Sequence, residues 1–93
     1  MNLNSVDLNK IRILRAVVKN GSHQRAGEDL GLTRSAISQA LSTLEYQMDL
    51  KLFLRKGRQL YPTDDALKIS KQFENYEFDL GHCLKAIKGE YSD

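Results

Sequence analysis

Residues 21–48 read GSHQRAGEDLGLTRSAISQALSTLEYQM, a stretch that predicts two helices separated by a tight turn. Ser22 can cap the first helix, because a serine oxygen accepts a free backbone N–H of the first turn. Gly31 ends that helix, since glycine readily adopts the left-handed conformation that closes a helix. Thr33 caps the next helix only two residues later. Two helices joined by a short turn that contains glycine form a helix-turn-helix unit.

The second of these helices, residues 33–47, has two unlike faces. At 100° per residue, its apolar side chains fill an arc of about 140° and its polar side chains fill another arc of about 140°. The apolar arc consists of Ala36, Ile37, Ala40, Leu41 and Leu44. The polar arc consists of Arg34, Ser35, Ser38, Gln39, Ser42 and Glu45. Short polar groups suit close approach to another hydrogen-bonding surface, so we expect the polar arc to be functional.

The segments on either side extend this unit. Residues 7–20 carry apolar side chains at steps of three and four and therefore predict an earlier helix that ends at Asn20-Gly21. Residues 50–54 and 59–62 are two short apolar and aromatic runs with a glycine between them, which predicts a hairpin that ends at its proline. Three basic residues and no acid lie at the expected tip: Arg55, Lys56 and Arg58. A basic hairpin beside a helix-turn-helix is a wing.

A long last helix is predicted after Thr63, which can cap it. Apolar residues follow at alternating steps of three and four: Ala66, Ile69, Phe73, Tyr76, Leu80, Cys83 and Ile87. Such a seam usually pairs with another helix, and the alternative is that it folds back onto its own domain. A helix of about 25 residues is roughly 37 Å long, more than a body of this size can cover. We therefore expect part of it to project and to form a dimer.

The charge of the 93-residue chain is unevenly distributed, although its net value is only +2. Residues 1–62 hold ten Lys/Arg against five acids, whereas residues 63–93 hold four lysines against seven acids. This division favours a polyanion partner for the first part and another role for the second. We accordingly predict a DNA-binding domain over 1–62 and a dimerisation helix over 63–93.

Several classes of protein are disfavoured by the composition. The longest apolar runs have three residues, far fewer than the roughly 18 to 20 that span a membrane. The first seven residues do not resemble a secretory signal, so we expect a cytoplasmic protein. One cysteine and two histidines are too few for a disulfide or a closed zinc site, and the histidines are expected to be packing or surface residues. We expect no cofactor and, without a nucleophile–base pair or a phosphate loop, no enzyme.

The order of these motifs resembles the N-terminal DNA-binding domain of LysR-type transcriptional regulators over residues 7–88. The resemblance is carried by Gly21-Ser22, Arg25-Ala26, Leu30-Gly31-Leu32-Thr33, Ala36-Ile37-Ser38, Leu44-Glu45, Leu50-Lys51-Leu52-Phe53, Arg55, Gly57-Arg58 and Thr63. It implies a mainly α fold, in which three helices and a two-stranded wing precede a long helix that dimerises. The family's effector-binding domain of two α/β lobes is missing from these 93 residues, so we expect no small-molecule effector site in this chain.

Some residues depart from the family pattern. His23 stands where an aromatic residue, usually phenylalanine, packs under the second helix, and Gly27 replaces an alanine. Both changes are expected to loosen that helix. Arg34, Ser35 and Gln39 replace what are commonly glutamine, proline and arginine. The polar face keeps its polarity, but the family's operator preferences do not transfer to these positions.

These observations predict a bacterial transcription regulator that binds a DNA inverted repeat as a homodimer. Arg34, Ser35, Ser38 and Gln39 are the predicted base-reading residues, although Arg34 alternatively bonds a phosphate. The predicted contacts to the DNA backbone are Ser22, Gln24, Arg25, Thr33, Ser42, Arg55, Lys56 and Arg58. The alternative function is a stand-alone interaction protein that forms mixed dimers with full-length relatives and modulates them.

Overall fold

The computed structural model describes residues 5–89, which form four helices and one β-hairpin. In chain order the elements are α1 (Leu8–Asn20), α2 (His23–Leu30), α3 (Arg34–Met48), β1 (Phe53–Lys56), β2 (Gln59–Pro62) and α4 (Asp64–Lys88). This order confirms the predicted mainly α winged helix-turn-helix with a long last helix. The predicted domains 1–62 and 63–93 both include terminal residues that lie outside the described part. In that part, no helix is long and apolar enough to cross a membrane.

Each helix begins at a side chain that caps it. The capping residues are Asp7, Ser22, Thr33 and Thr63, whose oxygens accept the backbone N–H groups of Asn9, Arg25, Ala36 and Ala66. The predicted caps of α2, α3 and α4 are therefore confirmed. At Asp7 the N–H of Asn9 lowers the pKa of the carboxyl, because the hydrogen bond favours the charged form. The α3 helix ends at Asp49, which has the left-handed φ of 53°.

One hydrophobic core lies beneath the helix-turn-helix, with α1 at its centre. The α1 helix packs against α2, α3 and α4, and its side chains Leu14 and Val17 are almost completely buried. Ile37 and Leu44 of α3 are fully buried as well, which confirms the apolar arc predicted for that helix. Because these residues face inward, the polar arc of α3 has to face outward.

In α2, Gly27 leaves room for the turn that follows the helix. A Cβ built on Gly27 would lie 2.5 Å from the backbone oxygen of Leu32, closer than real Cβ atoms approach an oxygen. The N–H of Leu32 donates to the Gly27 oxygen at 2.9 Å, so the chain after α2 crosses directly over this residue. Gly27 therefore allows the turn between α2 and α3 to pack closely. The expected loosening of the helix stays a prediction.

The wing is narrower at its tip than the sequence indicated. The two strands are antiparallel, and Lys56 pairs with Gln59, so only Gly57 and Arg58 form the turn. Two-residue loops suit hairpins because their twist matches that of the strands, and Gly57 has the positive φ of 63° that its position requires. Arg55 and Lys56 belong to β1, which corrects the prediction of three basic residues at the tip.

The first part of α4 does not have the predicted environment. Ala66 and Phe73 are buried in the core of their own domain, and Ile69 packs against the same core. The pairing predicted for Ala66 and Phe73 with a second chain is therefore corrected, because they bury their apolar surface on their own domain. Ile69 is only partly buried, and its pairing stays a prediction. The remaining residues of the seam are exposed in the single chain: Tyr76, Leu80, Cys83 and Ile87. The molecule measures 50 × 30 × 22 Å.

Candidate nucleic-acid interface

The polar face of α3 is exposed to solvent except at Glu45, which is half-buried. Thr33, Arg34, Ser35, Ser38, Gln39 and Ser42 are all exposed. The structure thus brings together all four residues that the sequence predicts to read bases. They are held rigidly, because the opposite side of the same helix is anchored in the core.

A concave surface extends from α3 to the wing and to the start of α2. Its lining consists of His23, Arg34, Ser35, Ser38, Gln39 and Arg55. Three elements therefore contribute to one surface, and Arg55 of the wing joins the predicted base-reading residues. The lining contains two arginines and no carboxylate. An electropositive concavity of this kind attracts an anionic partner.

His23 is the residue of this surface that the sequence did not assign to function. Its ring meets that of Phe53 edge-on, with the centroids 6.4 Å apart and the planes at 81°. The expected packing role is therefore confirmed, but the Nε2 atom is buried and has no hydrogen-bond partner among the described residues. Burial, followed by the charges of Arg34 and Arg55, lowers the pKa of His23. Both causes disfavour the protonated imidazole in the free chain.

The predicted backbone contacts at the helix starts are divided between structural and free groups. The hydroxyl oxygens of Ser22 and Thr33 accept cap hydrogen bonds from the N–H groups of Arg25 and Ala36, at 3.1 and 3.0 Å. Each hydroxyl still has its O–H to donate. The side chains of Gln24 and Arg25 are exposed at the start of α2.

The basic residues of the wing point in different directions. Successive side chains of a strand lie on opposite faces, so Arg55 faces α3 whereas Lys56 faces away. The Lys56 Nζ atom lies 5.8 Å from the centre of the Tyr61 ring, on the outer face. Arg58 is exposed in the turn. The wing therefore offers three separated cations rather than one cluster.

Glu45 has a structural role that the sequence reasoning missed. It falls in the polar arc of α3, but its Oε2 atom accepts the backbone N–H of Leu52 at 2.7 Å. This bond ties α3 to the segment that leads into β1, and Leu52 is fully buried beside it. No sequence pattern predicts a bond between a side chain and a backbone group seven residues away. The carboxylate is therefore part of the scaffold of the wing.

Two arginines that contribute to the positive charge of residues 1–62 bind α4 rather than facing the concave surface. The guanidinium groups of Arg12 and Arg15 both pair with the carboxylate of Glu77, Arg12 at 3.1 Å. Both also lie over the ring of Phe73, at 5.7 and 5.2 Å from its centre. The surplus of positive charge in residues 1–62 thus serves two purposes. One part lies at the concave surface, and another part anchors α4 on α1.

Family comparison supports the predicted resemblance. The family described as "Bacterial regulatory helix-turn-helix protein, lysR family" matches residues 8–67. The chain belongs to the LysR family. This LysR-family chain is 37% identical over 89 residues to the HTH-type transcriptional activator AmpR of Providencia stuartii, covering 86% of this chain and 30% of AmpR. It is 32% identical over 87 residues to the HTH-type transcriptional regulator YxjO of Bacillus subtilis, covering 94% of this chain and 28% of that protein.

Solved structures of the family share the fold of this LysR-family chain. A probable transcriptional regulator from Pseudomonas aeruginosa superposes with a TM-score of 0.78 at 30% identity, over 90% of this chain and 28% of that protein. The BenM DNA-binding domain, solved with benA site 1 DNA, has a TM-score of 0.80 at 19% identity, over 91% of this chain and 99% of that domain. The chain thus corresponds to the winged helix-turn-helix part of LysR regulators and spans less than a third of the length of the curated relatives AmpR and YxjO.

Proposed function

We propose that this LysR-family chain binds double-stranded DNA and reads its sequence, as the DNA-binding part of a bacterial transcription regulator. The observation that carries the proposal is the concave surface formed by the exposed part of the α3 polar face and Arg55, whose lining contains no acid. An α-helix is about 10 to 12 Å across and fits the major groove, where each base pair shows a distinct set of donors and acceptors.

The proposed base contacts follow from the side chains on this face. Arg34, at the start of α3, has a two-pronged guanidinium that can pair with guanine O6 and N7, and Gln39 can pair with adenine N6 and N7. Each such pair contributes about 1 to 3 kcal/mol of discrimination between bases. Ser35 and Ser38 lie on the same face, and their short hydroxyl side chains can bond base edges where the helix approaches them closely.

The proposed backbone contacts surround the recognition face on both sides. The start of α2 supplies Ser22, Gln24 and Arg25 together with free N–H groups and the positive end of the helix dipole. Thr33 and Ser42 belong to α3, and the wing supplies Arg55, Lys56 and Arg58. Contacts of this kind position the domain and make its affinity depend on salt.

Homodimerisation through the distal part of α4 completes the proposal. Tyr76, Leu80, Cys83 and Ile87 are exposed at the seam spacing, which supports pairing with a second copy. The resemblance to LysR regulators implies an antiparallel pair of these helices. A two-fold dimer reads two inverted half-sites whose centres lie about one helical turn or a multiple of it apart.

The second candidate is an interaction protein that forms mixed dimers with full-length relatives and modulates them. It is favoured by the same exposed residues of α4, because they are available to any chain with a matching helix. This candidate does not require that α3 reads any base sequence. The two functions therefore differ in their requirement for the polar face of α3.

Selection of bound duplexes from a random DNA library, at about 0.15 M salt where non-specific phosphate binding is weak, tests the proposal. We expect a motif with two inverted half-sites. Arg34→Ala and Gln39→Ala should each remove the preference at one base pair per half-site, while Lys68→Ala, an exposed change on α4, should leave the motif intact. An equal loss of affinity for all duplexes would contradict base reading. Recovery of no motif would refute sequence-specific binding and favour the second candidate.

A further inference from the structure

His23 lines the concave surface that the proposed function assigns to DNA. Its imidazole lines the concave surface together with Arg34, which begins α3, and Arg55, which belongs to the wing. It also lines the adjoining depression between α3 and the wing, beside Ser38 and Ser42. The residue is thus shared by the parts of the surface where the base-reading face and the wing meet.

The hydrogen-bonding state of His23 is incomplete in the free chain. Its Nε2 atom is buried and has no partner among the described residues. A buried polar atom without a partner costs free energy. The DNA backbone offers mainly phosphate oxygens as acceptors, and a neutral imidazole can donate to one of them from a single nitrogen. The protonated form adds a second donor and a positive charge, so a nearby phosphate favours it.

The groups around His23 explain why the free chain disfavours its protonated form. Arg34 faces it from α3 and Arg55 from β1, and burial together with these two charges lowers its pKa. The adjoining depression brings two more charged groups toward it, Glu45 of α3 and Lys51 before β1. The Glu45 carboxylate is engaged with the N–H of Leu52, so it does not pair with the imidazole.

The α2 helix, which carries His23, has three charged residues, and all three are exposed: Arg25, Glu28 and Asp29. The Glu28 carboxylate accepts a hydrogen bond from the side-chain amide of Gln24 at 3.5 Å, so it is directed along α2 rather than at His23. The charges that act on His23 in the free chain are therefore mainly the two arginines.

We propose that His23 takes up a proton when duplex DNA binds, so that its imidazolium and Arg55 face the phosphate backbone beside the base pair that Arg34 reads. The inference rests on the proposed binding of DNA. A phosphate above this surface neutralises the repulsion from the two arginines and attracts the third charge. His23 is then a further DNA-contacting residue, and affinity increases as the pH falls.

The test measures the dissociation constant of the full chain for a 20-base-pair duplex of mixed sequence at low salt, from pH 8.0 to pH 5.5. If binding raises the pKa of His23 by one unit, the affinity increases at most about ten-fold over this range. We expect this gain in the unaltered chain and a change of less than about two-fold in His23→Gln. His82→Gln is the matched control, because His82 stacks on Phe78 in α4, away from the concave surface, and should keep the full gain.

The outcomes separate this inference from the proposed function. If the unaltered chain binds no duplex at any pH, the proposed function fails. If it binds and His23→Gln shows the same pH dependence, DNA binding stands and the proton uptake by His23 is refuted. His23→Phe keeps a ring beside Phe53 and serves if the glutamine variant does not fold. An NMR titration of the unaltered chain gives an independent result: the pKa of His23 must rise when the duplex is added, and an unchanged value would overturn the proposal.

Discussion

The two halves of α4 have the same apolar spacing and different surroundings. In the first half, Ala66 and Phe73 are buried against α1 and the core. In the second half, Leu80 and Ile87 continue the same steps of three and four but are 45% and 75% exposed. The periodicity predicts that one side of a helix will be covered. It does not determine whether the cover comes from the same chain or from another chain.

The boundary between the halves is an ion-pair cluster. Glu77 pairs with Arg12 and Arg15 of α1, and both guanidinium groups cover the Phe73 ring. This cluster is the last of the ion pairs and cation–ring contacts found between α1 and α4 in residues 5–89. We therefore expect this cluster to fix the direction of the distal half of α4 relative to α1. In the proposed dimer, that direction determines the distance between the two DNA-binding domains.

The largest expected effect is the difference in stability between two phenylalanine truncations, one on each side of the boundary. Phe73 is 5% exposed and Phe78 is 68% exposed. Phe73→Ala should lower the free energy of unfolding by about 3 to 5 kcal/mol, because it removes a buried ring and leaves a cavity. Phe78→Ala should change it by less than about 0.5 kcal/mol. Urea unfolding at a concentration low enough for the monomer to dominate measures both values, and similar losses would contradict the division of α4.

Placing a charge on the distal seam should break the proposed dimer. Leu80→Asp would bury two carboxylates in each pair of helices, which costs on the order of 3 kcal/mol and raises the dissociation constant about 100-fold. Sedimentation or light scattering should then show a monomer. Lys85→Asp is the matched control, since Lys85 lies outside the seam and is exposed. A dimer that survives Leu80→Asp would mean that the chains pair elsewhere.

Removing the charge of Glu77 should weaken the boundary itself. Glu77→Gln is expected to cost on the order of 1 kcal/mol of stability, a small value because the carboxylate and Arg12 remain partly exposed. Glu74→Gln is the control, because within residues 5–89 Glu74 pairs only with the highly exposed Lys71, at 3.7 Å, and should lose almost nothing. Unfolding at low and high salt should show a salt-dependent difference for Glu77 alone. Equal losses in the two variants would show that the cluster does not anchor α4.

The smallest effect is expected in the distal half, from Gly81→Ala. A Cβ at Gly81 would meet nothing within 4 Å, so the substitution should add about 0.5 to 1 kcal/mol of helix stability. Hydrogen exchange should slow in residues 78–88 and stay unchanged in α1. Gly27→Ala gives the contrast, because its Cβ would lie 2.5 Å from the Leu32 oxygen and should destabilise the turn by about 1 kcal/mol net. A stabilising Gly27→Ala would show that the turn can shift freely.

The sequence predicted those parts of the site that depend on a single helix. The caps Ser22 and Thr33 and the polar face of α3 were found because hydrogen bonds and periodicity act within a few residues. The wing was predicted as a hairpin, but its tip was placed too broadly, since the register of two strands depends on their pairing. The residues of the proposed DNA contacts remain predictions, and His23 was expected to be only a packing or surface residue.

What the sequence alone determined is the order of elements, their ends and the side of each helix that is apolar. These properties are local, because a cap or a 3.6-residue period is complete within one or two turns. The tertiary structure decided which charges are available and what covers each apolar side. Arg12 and Arg15 bind Glu77, which lies 65 and 62 residues away, and His23 meets Arg34 and Arg55 only after three elements have packed. Such contacts depend on how the core is filled, because packing brings distant segments together and no local pattern specifies the partner.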